Sequence, residues 1–88
     1  MTEQVIDVST LEPPEPMERI IDTLADMAPG DWLRVLHRRD PTPLYRILRD
    51  MGYRWETRHL GPARFEILIW PQALAHPDEA GASPGIDT

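Results

Sequence analysis

The chain contains no cysteine among its 88 residues. This absence excludes disulfides, thiolate metal ligands, thiol nucleophiles and persulfide chemistry on the protein itself. Lysine is also absent, so every basic residue is an arginine. Long apolar runs are missing as well, and the first residues are acidic where a secretory signal would be basic. We therefore expect a cytoplasmic protein without a membrane partner.

Charges of the two signs are concentrated in different parts of the chain. Residues 1–30 carry a net charge of −6, residues 31–70 carry +3, and the remaining residues carry −3. Basic and aromatic residues are not interleaved as they are in many nucleic-acid-binding segments. Because the whole chain is also acidic, nucleic acid is not expected as a partner.

The first half of the chain predicts a strand, a helix and a second strand. The β-branched run 5–8 is typical of a strand, and the proline-rich segment after it is expected to form a rigid loop. From Pro16, apolar residues recur at helical spacing until a Pro-Gly pair at 29–30 ends the pattern. Alternation over residues 31–36 then predicts the second strand.

The second half predicts one more helix and a hairpin. Asp40 is expected to cap this helix, Pro41 to occupy its first position, and Gly52 to end it in the left-handed conformation. Two β-rich runs, 53–60 and 63–70, follow and are joined by a Gly-Pro turn.

The element order β-α-β-α-β-β predicts an α/β (α+β) two-layer sandwich. A mixed four-stranded sheet is expected to carry both helices on one face. The first two strands should be parallel neighbours, because a right-handed strand–helix–strand connection places them side by side. Residues 1–71 are predicted to form the domain, and residues 72–88 a flexible C-terminal tail.

Two loops that lead into helices are expected to meet at one edge of this sheet. The candidate edge site comprises Pro13, Pro14, Pro16, His37, Arg38, Arg39, Asp40 and Tyr45. A helix N-terminus with two guanidinium groups could hold a small anion. Alternatively, Asp40 only caps the helix, the arginines are solvated or pair with Glu12 and Glu15 across the neighbouring loop, and Tyr45 packs as a half-buried aromatic. The three histidines are scattered, so no metal or cofactor is expected.

The sheet face away from the helices offers a second candidate surface. Alternation places an apolar and charged set on this face, which includes the interface candidates Trp32, Arg34, Leu68 and Trp70. Tryptophans and leucines among arginines are typical of the core of an interface with a protein partner or a second copy of the chain. The alternative is that the C-terminal tail folds back over them or that the twist of the sheet hides them.

The segment Leu-Glu-Pro-Pro-Glu-Pro at 11–16, followed by an amphipathic helix, resembles the opening of TusA-like (SirA-like) sulfur carriers. In those carriers a leucine precedes Cys-Pro-x-Pro at the start of the first helix. Pro14 and Pro16 match the two prolines, and Pro13 stands in place of the cysteine. The Pro-Gly pair after the first helix and the Asp-Pro pair before the second also match, so the resemblance covers residues 4–70. It implies the carrier fold without sulfurtransferase activity.

The segment Leu-His-Arg-Arg-Asp-Pro-x-Pro-Leu-Tyr at 36–45 and the terminal hairpin more closely resemble a cysteine-lacking branch of that superfamily. This branch is known only as a domain of unknown function. Its members occur alone or fused to other domains, including haemerythrin-like ones. The resemblance implies an accessory role in redox, sulfur or nitrogen-oxide metabolism.

Two functional hypotheses follow from the sequence. The first is a non-catalytic protein-interaction or regulatory module that binds through the helix-free sheet face or the proline-rich edge. The second is a small-ligand or anion-binding protein that uses the His37-Arg38-Arg39 loop at the N-terminus of the second helix. Neither hypothesis makes the chain an enzyme.

Overall fold

The structure is a computed structural model, and it describes residues 2–77. Four strands and two helices follow one another in the predicted order. They are β1 (Glu3–Asp7), α1 (Glu15–Asp26), β2 (Trp32–His37), α2 (Thr42–Asp50), β3 (Tyr53–Gly61) and β4 (Arg64–Pro71).

The strands form one mixed sheet in the order β1-β2-β4-β3. β1 and β2 are parallel neighbours, as expected, with Ile6 opposite Val35. β4 is antiparallel to both β2 and β3 and lies between them. The last strand of the chain is therefore a central strand, and its residues 67–70 are all buried because both faces of the sheet are covered there.

Both helices pack on the same face of the sheet, which confirms the predicted two-layer sandwich. Alternate residues of β2 and β4 meet one side of each helix, since side chains point to opposite faces along a strand and recur every third or fourth position on a helix. The buried core on this face consists of Val8, Ile20, Leu24, Leu33, Val35, Leu44, Leu48, Ile67 and Ile69.

The N-terminal end of α2 differs from the prediction, whereas its C-terminal end agrees with it. α2 begins at Thr42 with Pro41 at the N-cap position, and no side chain caps it. The prediction that Asp40 caps this helix is wrong, because the Asp40 carboxylate instead accepts a hydrogen bond from the Tyr45 hydroxyl. At the other end Gly52 has φ of 86°, the left-handed conformation predicted for it.

The hairpin between β3 and β4 turns at Pro62 and Ala63. Gly61 pairs with Arg64, so only two residues form the loop. Ala63 has φ of 54°, a left-handed conformation that is unfavourable for a residue with a Cβ atom.

The sheet face opposite the helices, called the second face below, carries Trp32, Arg34, Leu68 and Trp70. Trp32 is 8% exposed, Leu68 1% and Trp70 7%. The side chains predicted to form an interface are therefore buried within the chain itself. Arg34 alone of the four is partly exposed.

Residues 72–77 account for part of this coverage. The His76 ring lies 4.6 Å from the Trp70 ring, centroid to centroid, and His76 is hydrogen-bonded to Glu56. The start of the predicted tail thus lies against the second face, while residues 78–88 are outside the described part of the chain. The predicted domain boundary at residue 71 stays a prediction.

Candidate functional site

A cleft of about 360 Å³ opens where the loop before α1 meets the loop before α2. We call it the edge cleft. Its lining residues are Pro13, Pro14, Pro16, Met17, Ile20, His37, Arg39, Asp40, Pro41, Pro43 and Leu44. The fold therefore brings together six of the eight predicted edge-site residues, since β1 and β2 are parallel and both end at this edge of the sheet.

The apolar wall of the edge cleft was not part of the predicted site. Met17, Ile20 and Leu44 have the helical spacing of core residues, and Ile20 and Leu44 are indeed fully buried. They lie beneath the cleft, whereas Met17 is only half-buried and reaches its surface. Sequence periodicity identifies the buried face of a helix but does not show which of its residues border a cleft.

His37 is the last residue of β2 rather than part of a loop. It points to the helix side of the sheet and is only 9% exposed. Its Nδ1 accepts a hydrogen bond of 3.0 Å from the backbone N–H of Arg39, which leaves the ring proton on Nε2. Burial, with smaller contributions from the Arg38 and Arg39 charges, lowers the pKa of His37 below its ordinary value. The imidazole is therefore neutral near pH 7.

The two neighbouring arginines have different surroundings. Arg38 does not line the cleft, and its Nη2 lies 3.5 Å from the Glu12 carboxylate, as the alternative interpretation of the sequence expected. Arg39 lines the cleft and is exposed. Within residues 2–77, no carboxylate is paired with the Arg39 guanidinium.

Tyr45 lies beside the edge cleft without lining it. Its ring stacks on Trp55 with centroids 5.2 Å apart, and its hydroxyl contacts both Asp40 and Thr57. Burial, followed by the hydrogen bond to Asp40, raises the pKa of Tyr45 to about 12. Tyr45 therefore holds the Asp40 carboxylate toward the α2–β3 side.

The N-terminus of α2 offers few backbone donors to a ligand. The Thr42 N–H donates to the Asp40 carbonyl, and the Leu44 N–H donates to the Pro41 carbonyl. Pro43 between them has no N–H. A helix N-terminus binds anions mainly through free N–H groups, so the first three positions of α2 contribute little to such a site.

The second face carries a connected set of charged groups. Arg34 donates to Glu3 and Glu66, each at 2.7 Å, and the Trp32 indole N–H also donates to Glu3 at 3.1 Å. The hydrogen bond from Arg34 is the main reason why the pKa of Glu3 lies below its ordinary value. Arg58 extends the set by contacting Glu66. These ion pairs lie on the outer side of the buried tryptophans.

Sequence reasoning missed Glu3 because the predicted first strand began at Val5. The alternation continues backward through Gln4, which lies on the core side, so Glu3 falls on the second face opposite Trp32. Extending the strand by two residues would have found it.

A smaller cavity of about 190 Å³ also borders His37 and is lined by Asp7, Ser9 and Arg64, among others. The Asp7 carboxylate accepts hydrogen bonds from the backbone N–H and the hydroxyl of Ser9.

Within residues 2–77, no group of three His, Asp or Glu side chains is arranged to hold a metal ion. No helix in this part of the chain is long and apolar enough to cross a membrane.

The family model described as "Uncharacterized conserved protein (DUF2249)" matches residues 5–71. No curated protein and no solved structure matches the chain. The matched region ends with the last residue of β4, so the segment 72–77 that contacts Trp70 lies beyond it. The chain belongs to the DUF2249 family.

Proposed function

We propose that this member of the DUF2249 family is a non-catalytic protein-interaction or regulatory module whose binding site is the edge cleft. The observation that carries the proposal is the convergence of residues from two separate loops on one cleft with apolar walls and an arginine that no carboxylate of residues 2–77 pairs with. Concave sites with apolar walls and a few directed polar groups are typical of ligand and partner recognition.

The edge cleft is a better candidate than the second face. The second face is covered by ion pairs, and its side chains Trp32, Leu68 and Trp70 are buried. A partner would have to displace the ion-paired groups before it could contact the tryptophans. Prolines 13, 14, 41 and 43 instead lie at the rim or wall of the cleft. Their rings are fixed in place, so a partner that binds there orders little additional chain.

Kinship with TusA-like carriers is part of the same proposal. In such a carrier the thiolate would stand at residue 13, at the mouth of the edge cleft, and accept sulfur there. Pro13 has no nucleophile, and the whole chain has no cysteine. The module would thus keep the recognition edge of a carrier and lose its chemistry, which suits a cytoplasmic accessory of redox, sulfur or nitrogen-oxide metabolism.

A simple anion site at the N-terminus of α2 is less well supported. The first backbone N–H groups of α2 donate to carbonyls of the preceding loop, and Arg38 is paired with Glu12. Any ligand charge in the edge cleft must therefore be met by the side chains of His37 and Arg39.

A capture experiment with matched variants tests the proposal. The immobilised full chain is incubated with native lysate, and retained proteins are compared between wild type, Arg39→Glu and Arg46→Glu. Both arginines are exposed and both changes alter charge equally, but Arg46 does not line the cleft. We expect a partner that wild type and Arg46→Glu retain and Arg39→Glu loses. Equal retention by all three, or equal loss by both variants, would show that the cleft is not the binding site.

The proposed loss of sulfur-carrier chemistry has a separate test. After incubation with a persulfide donor, mass spectrometry is expected to find the unmodified mass, since no side chain can accept the sulfur. A stable sulfur adduct would contradict it.

A further inference from the structure

The edge cleft has an apolar interior and a polar entrance. Met17 and proline rings form its accessible wall, with Ile20 and Leu44 buried beneath it, while His37 and Arg39 are the lining residues whose side chains carry hydrogen-bond donors. Its volume of about 360 Å³ lies at the lower end of the range of roughly 300–1,000 Å³ for small-ligand sites. A ligand that fits it has a compact apolar body and a group that accepts hydrogen bonds.

The donor of His37 is available for such a ligand. Nδ1 is occupied by the backbone N–H of Arg39, and Nε2 carries the proton. Within residues 2–77, Nε2 has no hydrogen-bond partner, although the ring is more than nine-tenths buried. No fully buried side-chain polar atom of the described chain lacks a partner, so Nε2 must reach the solvent in a cavity that His37 borders. A ligand oxygen placed there would complete its hydrogen bonding.

Arg39 favours a ligand that carries a negative charge. Its guanidinium has parallel N–H groups that match the two oxygens of a carboxylate. Asp40 also borders the cleft and carries the opposite charge, although Tyr45 holds its carboxylate toward the other side. The charges of Arg39 and Asp40 cancel formally, so the cleft lacks the net positive charge that would favour a dianion such as phosphate or sulfate over a monoanion. The shortage of backbone donors at α2 disfavours phosphate further.

We infer that the edge cleft binds a monocarboxylate with a compact branched apolar group, with the carboxylate on His37 and Arg39 and the apolar group against Met17 and the proline rings. This inference rests on the proposed function and specifies its ligand. Two sources supply this chemistry, namely a free branched-chain acid and the last residue of a polypeptide.

The inference is tested by titrating the ¹⁵N-labelled full chain with matched probes and following backbone amide shifts. One pair is 4-methylpentanoate and 4-methylpentanamide, which differ only in charge. The other is the peptide acetyl-Gly-Gly-Leu with a free or an amidated C-terminus. We expect the two carboxylates to bind, and each amide to bind at least about tenfold more weakly, because hydrogen bonds to charged groups are the stronger ones. The shifted amides should include Met17 and Leu44.

The adjacent arginines give a matched pair of variants. Arg39→Gln should weaken carboxylate binding by about tenfold or more, whereas Arg38→Gln should leave it within about twofold of wild type. His37→Asn keeps an acceptor for the Arg39 N–H and removes the Nε2 donor, so it should weaken binding without changing the spectrum of the free protein beyond its neighbours. If acetyl-Gly-Gly-Leu binds about tenfold more tightly than 4-methylpentanoate, the source is a polypeptide end, and if it binds about tenfold more weakly, the source is the free acid.

Three results would overturn the inference. They are amides that bind as well as acids, equal effects of Arg38→Gln and Arg39→Gln, and shifts confined to Asp7, Ser9 and Arg64 around the smaller cavity. If a captured partner depends on Arg39 while no carboxylate binds, the inference is wrong and the proposed function stands. If neither capture nor probe binding responds to Arg39, both fail.

Discussion

Replacing Leu68 by alanine tests whether the second face is a closed core or an open surface. Leu68 lies on the central strand β4, opposite Arg34 of β2 and Glu56 of β3. Its side chain is 1% exposed and forms a small buried cluster with Trp32 and Trp70. On an open sheet face the same leucine would contact water, and its truncation would change little.

The cost of Leu68→Ala follows from this burial. Truncation of a buried leucine removes transfer free energy and leaves a cavity, which together cost about 2–5 kcal/mol. The cluster has only three members and lies near the surface, so partial collapse places the expected loss at about 2–3 kcal/mol. For a domain of this size the melting temperature should fall by about 10–20 °C.

The assay is thermal and urea unfolding of the full chain followed by circular dichroism. Leu60→Ala is the matched control, because Leu60 lies on the adjacent strand β3 and is 50% exposed. Its free energy of unfolding should change by no more than about 0.5 kcal/mol. If Leu68→Ala costs no more than Leu60→Ala, the second face is open and its description as a closed core is refuted.

Three further predictions concern other parts of the chain. Deleting residues 72–88 should raise quenching of tryptophan fluorescence by acrylamide, because His76 then no longer covers Trp70; unchanged quenching would place the cover elsewhere. Because the folded pKa of His37 lies below its ordinary value of 6.5, the unfolded chain binds the proton more readily, and stability should be lost as pH falls below about 6.5. Melting temperatures between pH 7.5 and 5 should therefore fall more steeply in wild type than in His37→Asn, and parallel curves would contradict this. Ala63→Gly should raise the free energy of unfolding by about 0.5–1 kcal/mol in urea titrations, since φ of 54° favours glycine; a loss of stability would mean that the loop has another conformation.

Local patterns predicted the elements of this fold well. Alternation predicts Leu68 and Trp70 on the sheet face away from the helices, and both lie there in a cluster separate from the main core. Gly52 was predicted to be left-handed because it follows an apolar helical stripe, and it is. These features depend on residues a few positions apart, for which spacing along the chain is also spacing in the structure.

Predictions about particular side chains were less accurate. Asp40 has the sequence context of a helix cap, but Tyr45 is close enough to take its carboxylate instead. His37 was placed in a loop, whereas the parallel pairing with β1 extends β2 to include it. In each case the decisive partner is a group whose position depends on tertiary packing.

The sequence by itself determined which residues form strands and helices, which side of each element is apolar, and that no thiol chemistry is possible. Only the tertiary structure decided that β4 lies between β2 and β3, that residues 72–77 cover Trp70, and that two loops enclose a cleft lined by Arg39. The spacing of apolar residues shows which side of a helix or strand packs against the core. Pairing between distant strands is not visible in that pattern: Glu3 and Arg34 are 31 positions apart, and their contact forms only when the sheet does.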